Sequence, residues 1–144
     1  MARKKKLTLK DIAGILGKKP LATETYIIKD EGLKFEIKAL SEIEYIYLGN
    51  ELQKLESVAE QSLLGIHLAI ALGVKKIFKE VEGEWLEIEL EQVEADALGE
   101  EIKLIDLGYI AEWDLKTVKA PLSQKINEVS SMSKGEALKL ELFR

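Results

Sequence analysis

The sequence is 144 residues long, 47% hydrophobic and 33% charged, with no cysteine and a net charge of −5. These values describe a globular protein and exclude a disordered chain, a disulfide scaffold and any thiolate nucleophile or thiolate metal site. The charge is divided along the chain: the first twenty residues carry seven basic groups and one Asp, whereas Glu80–Glu101 carries ten carboxylates and neither Lys nor Arg. Separated charge without an evident set of catalytic groups favours a protein that acts by binding, not an enzyme.

The basic run at the N-terminus is Arg3, Lys4, Lys5 and Lys6. It resembles the positive region of a signal peptide, but charged residues interrupt the apolar stretch that should follow. The longest apolar run, Leu63–Val74, is too short to cross a bilayer. We therefore expect a cytoplasmic protein that does not contact membranes. Residues 1–6 are expected to form a flexible basic tail, and residues 7–144 a single domain.

The first elements in chain order are a predicted helix and a predicted β-hairpin. Apolar residues line one face of residues 8–16, which predicts a short helix. The segments 26–29 and 33–39 flank a turn in which Gly32 can adopt positive φ. Because apolar and charged residues alternate in the second segment, we expect a strand with one buried face.

A helical hairpin is predicted next. Ser41-Glu42-Ile43-Glu44 is a capping box, in which the serine and the second glutamate satisfy each other's free backbone donors at the start of a helix. Gly49-Asn50 is expected to kink or split this helix, and a more apolar helix is predicted over residues 57–72. The leucines that recur at the spacing of one buried stripe in the first helix are Leu48, Leu52 and Leu55.

The second half of the chain predicts another hairpin, further helices and a last strand. Residues 76–81 and 84–90 flank a turn at Glu82-Gly83, and residues 102–106 suggest a short strand or an extended link. Helical spacing returns at residues 107–115 and, after Pro121, at Leu122, Ile126 and Val129; alternation at Leu138, Leu140 and Leu142 predicts a C-terminal strand. The expected fold class is α+β, a single domain with two β-hairpins, a central helical hairpin and a C-terminal strand.

His67 is the only imidazole, so a zinc site would have to use carboxylates alone as its other ligands. We expect a structural role for it. The glycines and serines form no phosphate-binding or nucleophile-elbow pattern. The sequence therefore predicts no catalytic residue, no cofactor and no resident metal.

Three interpretations of the acidic stretch stay open. Glu87, Glu89 and Glu91 occupy one face of a predicted strand, with neighbours about 6.6 Å apart. They are a solvated face, a docking surface for a basic partner or for the basic tail, or a site for a hard cation such as Ca²⁺ or Mg²⁺. On the docking interpretation Trp85 serves as an anchor beside them. The tail itself lacks the interleaved aromatics of a nucleic-acid-binding segment, so we expect nucleic acid to contact at most Arg3–Lys6.

A resemblance to a known family is carried by Phe35-Glu36-Ile37-Lys38-Ala39-Leu40-Ser41-Glu42-Ile43-Glu44-Tyr45, an amphipathic strand that ends in a capped helix. This segment resembles the opening part of phage tail assembly chaperones of the kind encoded in Bacillus-type contractile tails and prophages. The resemblance covers about residues 20–75. It implies a small, acidic, non-enzymatic protein that binds the tape measure protein while tail tube subunits assemble around it.

The leading hypothesis is a cytoplasmic assembly protein that covers an aggregation-prone or basic partner with an apolar groove rimmed by carboxylates. Its candidate surfaces are Leu48–Leu64 and the outer face of Glu84–Glu91, and association between copies through the basic tail and the acidic stretch is compatible with it. A second hypothesis is a regulator of a nucleic-acid enzyme, which imitates a phosphate backbone or touches DNA or RNA through the tail. A third is a carboxylate-based metal protein.

Overall fold

Two antiparallel β-sheets, together with the helices that connect and follow them, form an α+β fold, as predicted. The computed structural model of the protein describes residues 6–16 and 21–130. Most of the predicted basic tail therefore lies outside the described residues, and so does the predicted strand at 138–142.

The N-terminal helix is shorter than predicted. Helix α1 comprises Ala13–Leu16, and a turn held by two polar side chains precedes it. In this turn Asp11 Oδ2 accepts hydrogen bonds from Thr8 N at 2.8 Å and from Thr8 Oγ1 at 3.0 Å. The prediction of a helix over residues 8–16 is therefore wrong in its first half, because the residues expected in the first helical turn are used by the preceding turn.

The first sheet, sheet A, has four antiparallel strands in the order β1-β2-β3-β4. Strands β1 (Thr23–Ile28) and β2 (Leu33–Lys38) form the first predicted hairpin, and β3 (Val74–Val81) and β4 (Glu84–Ile88) form the second. Gly32 has φ of +61° in the first turn, a conformation that glycine adopts without steric cost. Both predicted hairpins are confirmed.

The strand register assigns the side chains of sheet A to two faces. Residues opposite one another on neighbouring strands share a face, because side chains alternate along each strand. The inner face carries Phe35, Ile77 and Ile88. The outer face carries Lys34, Phe78 and Glu87. The inner face contributes to the hydrophobic core, in which Phe35 and Ile77 are buried.

Helices α2 (Glu42–Gln53) and α3 (Val58–Gly73) lie between β2 and β3 in the chain and form the predicted helical hairpin. Both hydrogen bonds of the predicted capping box at Ser41 are present. Helix α2 continues without interruption through Gly49-Asn50, so the predicted split at that point is wrong. The chain turns after α2 instead, where Gln61 Nε2 donates to the carbonyl oxygens of Leu52 and Leu55.

The second sheet, sheet B, is an additional hairpin of β5 (Gln92–Ala97) and β6 (Glu100–Ile105). The sequence predicts at most one strand here, at residues 102–106. Leu98 and Gly99 form the tight turn, with φ of +50° and +79°. A leucine with positive φ is uncommon, and its presence explains why this turn does not stand out in the sequence.

The last described elements are α4 (Leu107–Ala111), one π-helical turn (Leu115–Lys119) and α5 (residues 120–130). The predicted apolar stripe of α5 is buried in the core at Leu122, Ile126 and Val129. Ser130 Oγ accepts a hydrogen bond from the backbone N of Leu40 at 3.1 Å, which fixes α5 beside the end of β2. Sheet A, α3, sheet B and α5 thus enclose a single core.

Candidate functional site

An apolar cavity of about 420 Å³ opens between the inner face of sheet A and the segment formed by α4 and the π-helical turn. This volume lies within the range of ligand and peptide clefts, roughly 300–1,000 Å³. The apolar lining residues are Leu33, Phe35, Ile77, Ile88, Leu90, Ile105, Tyr109, Trp113 and Val118. The charged lining residues are Glu89, Glu91 and Asp114.

One side of the cavity is formed where the chain passes from sheet A to sheet B. Strand β4 ends at Ile88, and residues 89–91 then run to β5 without strand pairing. The carbonyl oxygen of Glu91 accepts a hydrogen bond from Asp106 N at 3.0 Å, which attaches this crossing segment to the end of β6. The backbone of Glu89–Glu91 is thereby held at the cavity, with both glutamate side chains exposed at its edge.

The opposite side is held by two helix caps. The carboxylate of Asp106 accepts from Gly108 N at 2.9 Å and starts α4. The carboxylate of Asp114 accepts from Thr117 N at 2.8 Å and Thr117 Oγ1 at 2.7 Å and starts the π-helical turn. Between the two caps, the ring of Trp113 packs on Phe35 of β2, with 6.3 Å between the ring centroids. Local capping and one aromatic contact thus position this wall on the sheet.

The charge at the cavity has one sign. Among the described residues that line it, Glu89, Glu91 and Asp114 are the only charged ones, and none is Lys, Arg or His. Hydrogen bonds from the backbone and hydroxyl of Thr117 lower the pKa of Asp114, so this group stays ionised at neutral pH. A bound group should therefore be apolar where it enters the cavity and positively charged where it meets the edge.

The apolar surface extends beyond the cavity along the β3–β4 hairpin. Val81, Leu86 and Ile88 are 45%, 49% and 40% exposed. All three lie on the inner face, because Val81 is four residues from Ile77 on β3, and Leu86 is two residues from Ile88 on β4. Lys79 and Glu84 share this face, opposite Leu86 and Val81, so the apolar surface beyond the cavity is interrupted by charged residues. We call the cavity, which Ile88 also lines, the acidic groove.

The structure divides the predicted acidic residues between two surfaces. Glu89 and Glu91 line the acidic groove. Glu87 and Trp85 lie on the outer face of sheet A, away from the groove. There Lys34 Nζ is 4.8 Å from the ring centroid of Trp85, and Lys76 Nζ is 4.0 Å from a carboxylate oxygen of Glu87. The prediction that the three glutamates share one strand face is therefore wrong, because β4 ends at Ile88, before Glu89 and Glu91.

The predicted leucines of the helical hairpin are half-buried. Leu48 packs against the core, and Leu52 lies across from Gly65 of α3. The carbonyl oxygen of Leu55 accepts from Gln61 Nε2 at 2.8 Å in the turn between the helices. The structure thus places Leu48 and Leu52 in packing within this chain, and Leu55 at the turn that joins the two helices.

His67 contacts a buried lysine. Its Nε2 lies 3.0 Å from Nζ of Lys119, which is 5% exposed and also donates to the carbonyl oxygen of Ala111 at 3.3 Å. Because an ammonium group can only donate, His67 Nε2 must accept, and its proton sits on Nδ1. Burial of the ring, followed by the charge of Lys119, lowers the pKa of His67. The pair joins α3 to the π-helical turn and so supports the far wall of the groove.

Four further acidic residues of the stretch lie on sheet B: Glu94, Asp96, Glu100 and Glu101. A hydrogen bond with Glu94 and the negative charge of that carboxylate raise the pKa of Glu101.

In residues 6–16 and 21–130, no three His, Asp or Glu side chains converge in a way that could hold a metal ion. Within the same ranges, no helix is both long enough and apolar enough to cross a membrane.

Of the residues that line the groove, only Glu89 and Glu91 were predicted as parts of a site, and the whole wall of Tyr109, Trp113, Asp114 and Val118 was missed. Asp114 with Thr117 three residues later is a capping pattern that could have marked the start of this wall. No family model, no curated protein and no solved structure matches this chain.

Proposed function

We propose that this protein is a non-enzymatic, cytoplasmic binding protein whose acidic groove receives a segment of a protein partner. The observation that carries the proposal is an apolar cavity of about 420 Å³ whose charged lining groups, in the part of the chain that the structure describes, are all carboxylates: Glu89, Glu91 and Asp114. The complementary segment exposes apolar side chains flanked by Lys or Arg. Such a segment is prone to aggregate when free, which fits a protein that shields it.

The two kinds of contact in the groove have different roles. Burial of apolar side chains stabilises the complex, by about 1.5–3 kcal/mol for a fully buried leucine-sized group. The carboxylates at the edge accelerate encounter and reject acidic partners, while they add less to the affinity because exposed ion pairs contribute about 0–1 kcal/mol each. Affinity should therefore depend on the apolar anchors, and selectivity on the charge.

The resemblance of residues 35–45 to tail assembly chaperones supplies a specific form of the proposal. In that form the partner is a phage or prophage tail protein, such as the tape measure protein, whose exposed apolar segments must be shielded until it assembles. This identity of the partner stays a prediction.

Trp113 provides a direct test, because it lines the groove whereas Trp85 lies on the outer face. In a Trp85→Phe variant, Trp113 is the only remaining tryptophan of the chain. We would titrate this variant with three peptides of equal length, built from Leu and Lys, from Leu and Glu, and from Ser and Lys. Only the Leu–Lys peptide should shift the Trp113 emission to shorter wavelength in a saturable way.

The control is a pair of charge-reversed variants. Glu89→Lys with Glu91→Lys replaces attraction by repulsion and should weaken binding of the Leu–Lys peptide by about tenfold or more. Glu56→Lys with Glu100→Lys, which changes the net charge equally at exposed sites outside the cavity lining, should preserve it. Failure of the Leu–Lys peptide to bind would refute the proposal. Equal binding of the Ser–Lys peptide would favour the alternative, an acidic surface that imitates nucleic acid and recognises charge alone.

A further inference from the structure

We infer that the N-terminal segment of a second copy of this chain occupies the acidic groove, so that the protein associates with itself through the surface that receives its partner. This inference rests on the groove of the proposed function and names one occupant for it. The segment concerned, which we call the leader, is residues 1–16, of which the structure describes residues 6–16.

The leader has the chemistry that the groove selects. Leu7 and Leu9 are 74% and 76% exposed. Lys6 and Lys10 flank them, and the first twenty residues contain seven basic groups against one Asp. Two exposed leucines between lysines correspond to the apolar anchors and positive flanks described above.

The turn that follows keeps the leucines exposed. Thr8 lies between them and is held by hydrogen bonds to Asp11, both of the backbone and of the hydroxyl group. These bonds lower the pKa of Asp11, so its carboxylate is ionised and bound within the turn at neutral pH. The one acidic side chain of the leader is therefore engaged locally with Thr8.

The described part of the leader does not occupy the groove of its own chain. Leu7 and Leu9 are exposed and do not line that groove. The leader precedes β1, the strand next to β2, and Leu33 and Phe35 of β2 line the groove. The groove is therefore open to the leader of a second copy.

This contact joins two different surfaces, a leader and a groove. Contacts of this kind are reciprocal in a swapped dimer, and otherwise they propagate into a ring or an open chain. In each case the leader competes with the partner segment for one site. Self-association would thus protect the apolar groove until a partner displaces the leader.

The experiment measures the mass of the full-length chain in solution by light scattering and sedimentation over a wide range of concentrations. The wild-type chain should associate as the concentration rises, and less so at high salt because the charges at the groove edge are screened. Leu7→Ser with Leu9→Ser should weaken association about a hundredfold or more, since two leucine anchors are lost. Both leucines are exposed, so the fold should be unaffected, which circular dichroism checks.

A mixing experiment identifies the two surfaces. The leader variant retains an intact groove, and the Glu89→Lys, Glu91→Lys variant retains an intact leader. Each alone should remain monomeric, while an equimolar mixture should form a complex of the two. The Glu56→Lys, Glu100→Lys control should associate as the wild-type chain does.

Three results would overturn the inference: a wild-type chain that stays monomeric at every concentration, a leader variant that associates normally, or a mixture that forms no complex. A compact monomer whose Trp113 emission changes on removal of residues 1–12 would show that the leader occupies the groove of its own chain, which also contradicts it. The proposed function is tested separately, because the leader variant should still bind the Leu–Lys peptide. If the leader variant binds the peptide but the wild-type chain never associates, the proposed function is supported, the inference about the leader is wrong, and the occupant of the groove is another protein.

Discussion

Replacing Gly73 with alanine tests the contact between α3 and α5, on which the helical wall of the groove depends. Gly73 is buried at the end of α3, and a Cβ added there would lie 2.6 Å from Cγ2 and 2.9 Å from Cδ1 of Ile126. Contacts this short do not persist in proteins, so the isoleucine or one of the helices must move. Ile126 is itself fully buried in the core, so its neighbours must move with it.

The expected cost follows from two opposing contributions. Insertion of an extra methyl group into a packed core costs about 1–3 kcal/mol. Alanine gains about 1 kcal/mol over glycine in a helix, and it can adopt the backbone conformation at this position, where φ is not positive. The net loss of unfolding free energy should be about 0–2 kcal/mol. For a domain of this size the upper value corresponds to a decrease in Tm of roughly 6–8 °C.

Thermal and urea unfolding monitored by circular dichroism measure this loss, and the chain offers a matched control. Gly49 lies within α2, and a Cβ at that position would meet nothing within 4 Å. Gly49→Ala should therefore stabilise the protein by about 0.5–1 kcal/mol. In an Ile126→Ala background the clashing atoms are absent, so Gly73→Ala should no longer cost stability there.

Equal stability of the two glycine variants would refute this description of the α3–α5 contact. The description would also fail if Gly73→Ala cost as much stability in the Ile126→Ala background as it does in the wild-type chain. Because α5 continues directly from the π-helical turn that carries Val118, the Gly73→Ala variant should also bind the Leu–Lys peptide more weakly.

Three further perturbations test the contacts around this wall and the helical hairpin. Because the pKa of His67 is lowered in the folded state, its contribution to stability is complete above about pH 6.5 and is lost as the pH falls from there through the lower folded pKa. Urea unfolding at pH 7.5 and 5.5 should show a smaller loss for His67→Gln than for the wild type, and an equal loss would show that protonation of His67 does not cause the loss in the wild type. Ser41→Ala removes the cap that pairs with Glu44 and should cost about 0.5–2 kcal/mol in urea unfolding, with Ser41→Asp close to wild type. Ser130→Ala leaves a buried backbone N–H without its acceptor and should cost about 1–3 kcal/mol, whereas a cost below the error of the measurement would mean that water replaces the hydroxyl.

The parts of the fold that the sequence predicted are those specified by neighbouring residues. The first two hairpins follow from strict alternation beside turns with glycine, and α2 starts at a capping box whose two partners are three residues apart. The third hairpin was missed because Leu98 adopts positive φ, which a leucine seldom does. The split expected at Gly49-Asn50 was wrong because one unfavourable glycine costs about 1 kcal/mol, less than the packing that holds α2.

The site was predictable only in its chemistry. An apolar groove with carboxylates at its edge was expected, but it was placed on the helical hairpin and on the outer face of β4. The actual groove combines Leu33 of β2 with Val118 of the π-helical turn, residues that are far apart in sequence and line one cavity beside the contact of Trp113 with Phe35. No local pattern encodes such a contact, since it depends on how sheet A and α4 are placed by the whole core.

The end of β4 decides which glutamates lie at the acidic groove. Side chains alternate between the two faces of a strand, and Glu87 lies on the outer face of β4. In a longer β4, Glu89 and Glu91 would lie on the same face as Glu87. The strand instead ends at Ile88, because the chain must cross to sheet B, where the carbonyl oxygen of Glu91 pairs with the backbone beyond β6. Once the backbone leaves the sheet, these two carboxylates are free to turn toward the cavity. A continuous block of negative charge in the sequence thereby becomes two separate surfaces, one solvated and one at the mouth of an apolar groove, and only the second has the apolar neighbours that make binding of a basic segment favourable.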